Sequence, residues 1–443
     1  MSLAIRDTPP SGVAVLFFEA LVTGASLQPS DSSKPPVSVL TTPVEVEFGH
    51  LQTDTAFLSL TNVNPDTYAN ITLTFGNSTL TIVNHSGKAI GTCADNSVCE
   101  LSPGINPMTA TISGAPFPIT ISKDSEVAIL LDFDVNSSVQ ADLTINPTVN
   151  ITRLVQREES EMDMEMEQLD EIDGVVTAVG SAQFTLLNER SGQSFTVMVD
   201  SNTMFEDFDR AGCTASPADI SCVQMGQVLD VDLGENGGGT LLAKRVEFEE
   251  SAHQEALKGT ITSVDSSTQF HMVVFNEEPT MSGISEGSSI TVTIDPSAVF
   301  QVGREEIVED GASSISGLTF ANSSDLLVGQ DVQIRSGTVS SGGTITVTTD
   351  LVRLWPSQIT GQVGSSSPTT GTFTLTGLSP LFTGATPPIT TINVVTQSGM
   401  DFMDFSDLGS LTQGSTVSIR GLLFNTSGTP TLVSREMREE SSD

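Results

Sequence analysis

The run GQVLDV at residues 226–231 returns as GQDVQI at 329–334 and as GSTVSI at 414–419. In each, a glycine leads a segment whose apolar residues alternate with polar ones, the period-2 pattern of a half-buried β-strand. The neighbourhood recurs as well. Each copy opens on a Gly-led strand, GVVTAV from Gly174, GTITSV from Gly259 and GQVGSS from Gly361. A second strand follows, led by Phe184, Phe270 or Phe373. The third ends in a turn and an aromatic: VMVDSNTMF to Phe205, VTIDPSAVF to Phe300, NVVTQSGMDF to Phe402. After the cassette, a Gly-Thr turn starts the last strand, at Gly239-Thr240, Gly343-Thr344 and Gly428-Thr429. Five short strands cannot hide the edges of a flat sheet, so each copy is expected to close into a small barrel. The cassette glycine is expected at a turn, with positive φ, and the shared phenylalanines in the barrel core.

The rest of the chain alternates in the same way, as in VEVEFGHL (44–51) and ITLTFGNSTLTIV (71–83). Helical periodicity is nearly absent, so the fold class is all-β. The sequence predicts an N-terminal β-sandwich over 1–153, followed by three tandem five-stranded β-barrels over 174–250, 258–356 and 359–437. Between sandwich and barrels, an acidic linker is expected over 154–173. Its core, REESEMDMEMEQLDEID (157–173), carries nine acids against one base and has some helix propensity. An acidic tail is expected over 438–443.

The chain holds 17 Lys+Arg against 55 Asp+Glu, a net charge of −38. Nucleic-acid binding rests on Lys and Arg neutralising phosphates, so this balance argues against a nucleic-acid partner. It argues equally against an anionic membrane surface. No run reaches the ~18 apolar residues of a membrane-spanning helix. The charge is spread over the folded units and concentrated only in the linker, which suits a mutually repelling exterior.

Four cysteines form two local pairs, Cys93 with Cys99 and Cys213 with Cys222, inside the loop-like runs GTCADNSVCE and AGCTASPADISC. Neither pair is C-x-x-C, and no histidine is close enough to suggest zinc. They read as two loop-pinning disulfides, which points to an oxidising, extracytoplasmic compartment. The start of the chain, MSLAIRDTPPSG, has no basic n-region, so an export signal or lipid anchor is expected upstream of Met1.

The G-x-[VI]-x-x-V opening, the D-[SP]-x-[TA]-x-F strand end and the xxGQxVxV cassette resemble a bacterial domain of unknown function found in tandem in secreted proteins and lipoproteins. The third copy departs from it at Thr396-Gln397. The first part of the chain resembles a second bacterial domain of unknown function. Its marks are Asp7-Thr8-Pro9-Pro10, Asp66-Thr67-Tyr68, and the segment Leu131 to Ser138 followed by Asn146-Pro147. The resemblance implies an exported, surface-associated protein and supplies no catalytic residues.

Candidate chemistry is sparse. The histidines, His50, His85, His253 and His271, sit in no hydrolase motif, and no G-x-S-x-G occurs. His271 alternates with Phe270 and Met272 and is expected to face solvent. The best metal candidate is calcium at Asp132, Asp134 and Asn136, the D-x-D-x-N start of a calcium loop. On a strand these three share one face. Ser137 stands where such a loop has Gly, and Leu143 where it has Glu. Asp230 and Asp232 form a weaker acidic pair. Sugar platforms use exposed Trp and Tyr, and this chain has only Trp355 and Tyr68. Trp355 is expected to pack between barrels. No cofactor other than calcium is indicated. These readings point to a non-enzymatic, extracytoplasmic module of the cell envelope whose partner is an envelope protein or glycan. A glycan- or calcium-binding surface protein is the alternative, and a hydrolase with an unrecognised site stands behind both.

Overall fold

The computed structural model describes residues 2–8, 13–49, 56–123, 127–140, 142–154, 174–188, 193–236, 240–251, 256–278, 283–303, 317–335, 337–341, 344–367, 371–403, 408–426 and 429–439. The expected acidic linker lies outside these residues apart from Leu154. So does the expected tail beyond Arg438 and Glu439, which belong to the last strand.

The N-terminal unit is a sandwich of two sheets. One holds β1 (Ser2–Thr8), β5 (Ala56–Leu60), β10 (Ala128–Asp134) and β11 (Val149–Leu154), in the order β11-β10-β1-β5. The other holds β2 (Ala14–Pro29), β3 (Val37–Leu40), β4 (Val44–Glu47), β6 (Asp66–Asn84), β7 (Ser97–Leu101), β8 (Thr109–Ile112) and β9 (Ile119–Ile121). Two long antiparallel strands, β2 and β6, are its spine. Along β6 the partner changes from β9 to β8 to β7. Alternation sends Phe18, Ala20 and Val22 of β2 inward, where they meet Leu58, Ile129, Leu131 and Phe133 of the facing sheet. Four rings form the centre. Phe48 lies 4.6 Å from Phe133 and 5.3 Å from Phe18, and Phe75 meets Phe133 edge-on at 5.8 Å. Burying each such ring contributes about 1.5–3 kcal/mol. The buried Glu47 carboxylate is satisfied by the N–H groups of Phe18 (3.1 Å) and Gly49 (2.7 Å).

Three barrels follow. The first is built from β12 (Gly174–Val179), β13 (Gln183–Asn188), β14 (Gln193–Met198), β15 (Met204–Glu206), β16 (Gln227–Asn236) and β17 (Thr240–Ser251). The second uses β18 (Ala256–Ser266), β19 (Gln269–Glu278), β20 (Ser289–Val302), β21 (Asp331–Arg335), β22 (Val339–Ser341) and β23 (Ile345–Trp355). The third uses β24 (Ser357–Ser367), β25 (Thr372–Thr376), β26 (Ile392–Met403), β27 (Thr416–Phe424) and β28 (Thr431–Glu439). In each, strands one to three form a meander, strand four returns beside strand one, and strand five closes the ring. It pairs antiparallel with strand four and parallel with strand three. A five-stranded Greek-key barrel of this kind is the oligonucleotide/oligosaccharide-binding architecture.

The repeated cassette now has a physical explanation. Gly226, Gly329 and Gly414 have φ of 85°, 83° and 94°, the left-handed region that favours glycine. Their N–H groups donate to Val176, Ile261 and Val363 of strand one, each at 2.8 Å. The glutamine that follows closes the same turn. Gln227 Oε1 accepts the Gln224 N–H at 2.7 Å, and Gln330 Oε1 accepts that of Leu327 at 2.6 Å. In the third copy, Ser415 and Thr412 hydroxyls meet at 2.9 Å instead.

Two expectations need correction. In the second and third copies the turn does not end strand three; it interrupts it, whereas in the first β14 stops at Met198 and β15 starts at Met204. In the second barrel, strand three pairs with strand five up to Ile294 and again from Val299, and residues 295–298 bulge out around an Asp295–Ser297 turn. The third barrel repeats this between Thr396 and Asp401. The phenylalanines also divide. Phe184, Phe270 and Phe373 are core, as expected. Phe205, Phe300 and Phe402 are only partly buried. Phe205 meets Phe208 at 5.9 Å and Phe300 meets Phe320 at 5.7 Å, so these rings fasten the loop between strands three and four to the barrel.

Candidate functional site

The sandwich and the second and third barrels meet in one apolar patch. Ala14, Leu16 and Phe17 of β2 and Val83 of β6 are its sandwich side, facing Val273 of β19 and Leu381 of α2 (Pro380–Thr383). These are the outward residues of their strands: Phe18 points into the sandwich and Phe17 out of it, while Met272 and Val274 point into the barrel and Val273 out. Polar contacts frame the patch. The Thr81 hydroxyl donates to the Gly287 carbonyl at 2.6 Å, and the Ser289 N–H donates to Glu100 Oε1 at 2.7 Å. A Cβ on Gly287 would lie 2.8 Å from the Phe17 ring, so sandwich and barrel touch with no room for a side chain. The second and third barrels are also joined directly. Gln330 Nε2 donates to Leu423 O at 2.8 Å, and Asn425 Nδ2 donates to Ser324 O at 3.0 Å.

Sequence reading missed this patch, although a signal was present. Strict alternation fails at Leu16-Phe17-Phe18 and at Met272-Val273-Val274. Consecutive apolar residues on a strand mean that both its faces are covered.

A second shared feature is a rung of opposite charges between strands four and five. In the first barrel, Arg245 places Nε 2.7 Å from Asp232 and Nη1 3.0 Å from Glu247. Burial works against its charge, but the Asp232 hydrogen bond and the fields of Asp232, Asp230 and Glu247 outweigh it and raise the guanidinium pKa above its ordinary value. The same rung carries Arg335–Asp350 in the second barrel (2.7 and 2.9 Å) and Arg420–Glu436 in the third (3.5 Å). The expected acidic pair Asp230/Asp232 is therefore part of a structural ionic cluster.

Of the expected calcium residues, Asp132 and Asp134 lie on one strand and Asn136 does not. Asp132 lies on β10 between Arg6 and Asn150 in register, and β10 ends at Asp134. The chain then turns into α1 (Val135–Ser138), which carries Asn136 away from the strand. The buried Ser138 hydroxyl accepts the Thr148 N–H at 2.8 Å and so holds that turn. No group of three His, Cys, Asp or Glu side chains suited to a metal occurs among the described residues.

Both expected disulfides are present, Cys93–Cys99 and Cys213–Cys222. His271 is half-buried. Its Nε2 is 2.8 Å from Asp265 and its Nδ1 3.2 Å from the Thr291 hydroxyl. Thr291 is 7 % exposed and pairs with His271 across the second and third strands, which the contact bridges. Trp355 does not present a sugar platform: its ring lies under the Lys258 ammonium of the same barrel, 4.0 Å from the centroid. The Tyr68 ring is buried, with its hydroxyl donating to Asn64 O at 2.8 Å.

Fold and contacts thus define a tandem of closed five-stranded barrels with an attached sandwich. Within it, residues 173–247, which span the first barrel, match a family described as a domain of unknown function, DUF5666. No curated protein matches the chain. Among solved structures, the chain is similar to Drosophila Unr CSD456, at 9% identity over 62% of this chain and 98% of that one, with a TM-score of 0.13. It is also similar to the single-stranded DNA binding protein from Thermus aquaticus, at 11% identity over 43% of this chain and 93% of that one, with a TM-score of 0.16. A Streptococcus pneumoniae multidomain protein with nucleic acid binding domains follows at 8% identity, over 62% and 73%, with a TM-score of 0.12. Similarity this low carries no functional inference.

Proposed function

We propose that the protein is a non-enzymatic, extracytoplasmic module of the cell envelope. Its sandwich and barrels form a frame that engages an envelope protein or glycan. The observation that carries the reading is the three-way patch around Phe17, Val273 and Leu381, which joins the sandwich to two barrels as a fixed scaffold. Two local disulfides support an oxidising compartment. No helix among the described residues is long and apolar enough to cross a membrane. The net charge of −38 favours a partner other than nucleic acid, because the basic groove that tracks a phosphate backbone has too few cations to draw on.

The test is labelling of intact cells of the native host with a membrane-impermeant amine reagent. The reading expects labelling before lysis. Labelling only after lysis overturns the compartment and the envelope role together.

A further inference from the structure

The Cys93–Cys99 disulfide closes the hairpin between β6 and β7, and that hairpin stands at the three-domain patch. Its two arms supply Val83 and Val98 to the patch, and Glu100 of β7 receives the Ser289 N–H of the second barrel. His85, the first residue after β6, packs on Gly384 at the end of α2 in the third barrel, so closely that a Cβ there would lie 2.3 Å from the imidazole. One short hairpin therefore touches both barrels.

The hairpin interior explains how it keeps that shape. Asn84 is 1 % exposed, with its Nδ2 2.8 Å from Lys88 O, 3.1 Å from Ala94 O and 3.2 Å from Cys93 O. Cys93 and Ile90 exchange two backbone bonds of 2.9 Å. Cys93 is fully buried in the sandwich core, while Cys99 sits on β7 opposite Ile82. The disulfide thus ties the loop and the docking strand β7 to the sandwich core.

The barrel surface it meets is also distinctive. Val273, Phe275 and Ser289 belong to the outer face of strands two and three, the face on which barrels of this architecture take ligands. In the second barrel the sandwich covers its Val273–Phe275 end, while His271 on the same face stays half-exposed.

We infer that the disulfide-closed hairpin Asn84–Ser97, with its flanking Val83, Val98 and Glu100, is an intramolecular docking element that caps the strand-two/strand-three face of the second barrel and holds the third barrel beside it. The inference does not depend on where the protein resides, so it stands or falls apart from the labelling experiment above.

The test uses the full chain and reads amide hydrogen exchange at Ser289 and over 379–385, with small-angle scattering alongside. In Cys93→Ser/Cys99→Ser, exchange at Ser289 is expected to rise about tenfold or more, and the maximum dimension to grow. Cys213→Ser/Cys222→Ser is the control and is expected to change neither. Val98→Asp keeps the disulfide and puts a charge into the apolar patch, so it is expected to release the barrel face even if the cysteine variant unfolds the sandwich. Unchanged exchange and dimensions in Val98→Asp, with the sandwich core still protected, overturn the inference.

Discussion

Arg245 and Asp232 face each other across strands four and five of the first barrel, Nε to Oδ2 at 2.7 Å, and the same rung is filled by Arg335–Asp350 and Arg420–Glu436 in the other two. The sign is reversed: the cation stands on strand five in the first copy and on strand four in the others. The partner of Arg335 is half-exposed, whereas Arg245 is 17% exposed and lies within ion-pair distance of three acids, Asp232, Glu247 and, at 3.8 Å, Glu206. Arg245→Met removes the guanidinium from the partly buried Asp232 and Glu247 carboxylates. We expect a loss of about 3 kcal/mol, confined to the first barrel, read as a lower denaturant midpoint of its transition. Arg245→Lys keeps the charge but loses the planar fork, and falls between. An unchanged midpoint in Arg245→Met contradicts this account of the rung.

The cassette glycines separate strain from contact. At Gly226 and Gly414 a Cβ meets open space, so alanine there costs only the left-handed backbone, about 1–2 kcal/mol. At Gly329 the same Cβ would lie 2.2 Å from the Phe382 ring of the third barrel. Gly329→Ala is expected to cost clearly more than the other two and to raise exchange at Leu423 and Asn425. Equal costs at all three positions would falsify the contact.

The turn carboxylates set an acid dependence. Asp295, Asp219 and Asp142 are held below the ordinary carboxylate range, first by the side-chain hydroxyl and then by the backbone N–H two residues on. Arg335 does the same for Asp350 by hydrogen bonding. A depressed folded pKa adds stability that is present above the unfolded value of about 3.9 and lost as pH falls through the folded value. Carboxyl-carbon titrations by NMR should give midpoints below about 3.9 at these four residues. Ordinary midpoints contradict the turn geometry.

Calcium should act only as a screening ion. With Asn136 on α1 and Asp132 on β10, the melting shift in millimolar calcium is expected to equal that in magnesium at matched ionic strength. A larger shift with calcium, abolished by Asp132→Ala, would restore the calcium-loop reading.

The barrels were legible because period-2 alternation, cassette spacing and Gly positions repeat three times, and closure follows from edge strands that need partners. The core rings Phe184, Phe270 and Phe373 were legible for the same reason, and the cysteine pairs because both are local. The departure of Asn136 from the strand that Asp132 and Asp134 share was not legible, because a helical turn starting at Val135 cannot be told in sequence from a continuing strand over so short a run. The bulge at 295–298 was read as a strand end because pairing on its far side is with strand five, distant in sequence. The ionic rungs and the three-domain patch lie between residues far apart in the chain, such as Thr81 and Gly287, and only the doubled apolar runs at Phe17 and Val273 announced them.

The most direct measurement of the central claim is the thiol state of Cys93, Cys99, Cys213 and Cys222 in the native host, trapped by acid quenching and alkylation. An extracytoplasmic module predicts that none of the four reacts before reduction and all four react after it. Four alkylated thiols in the unreduced sample contradict the claim.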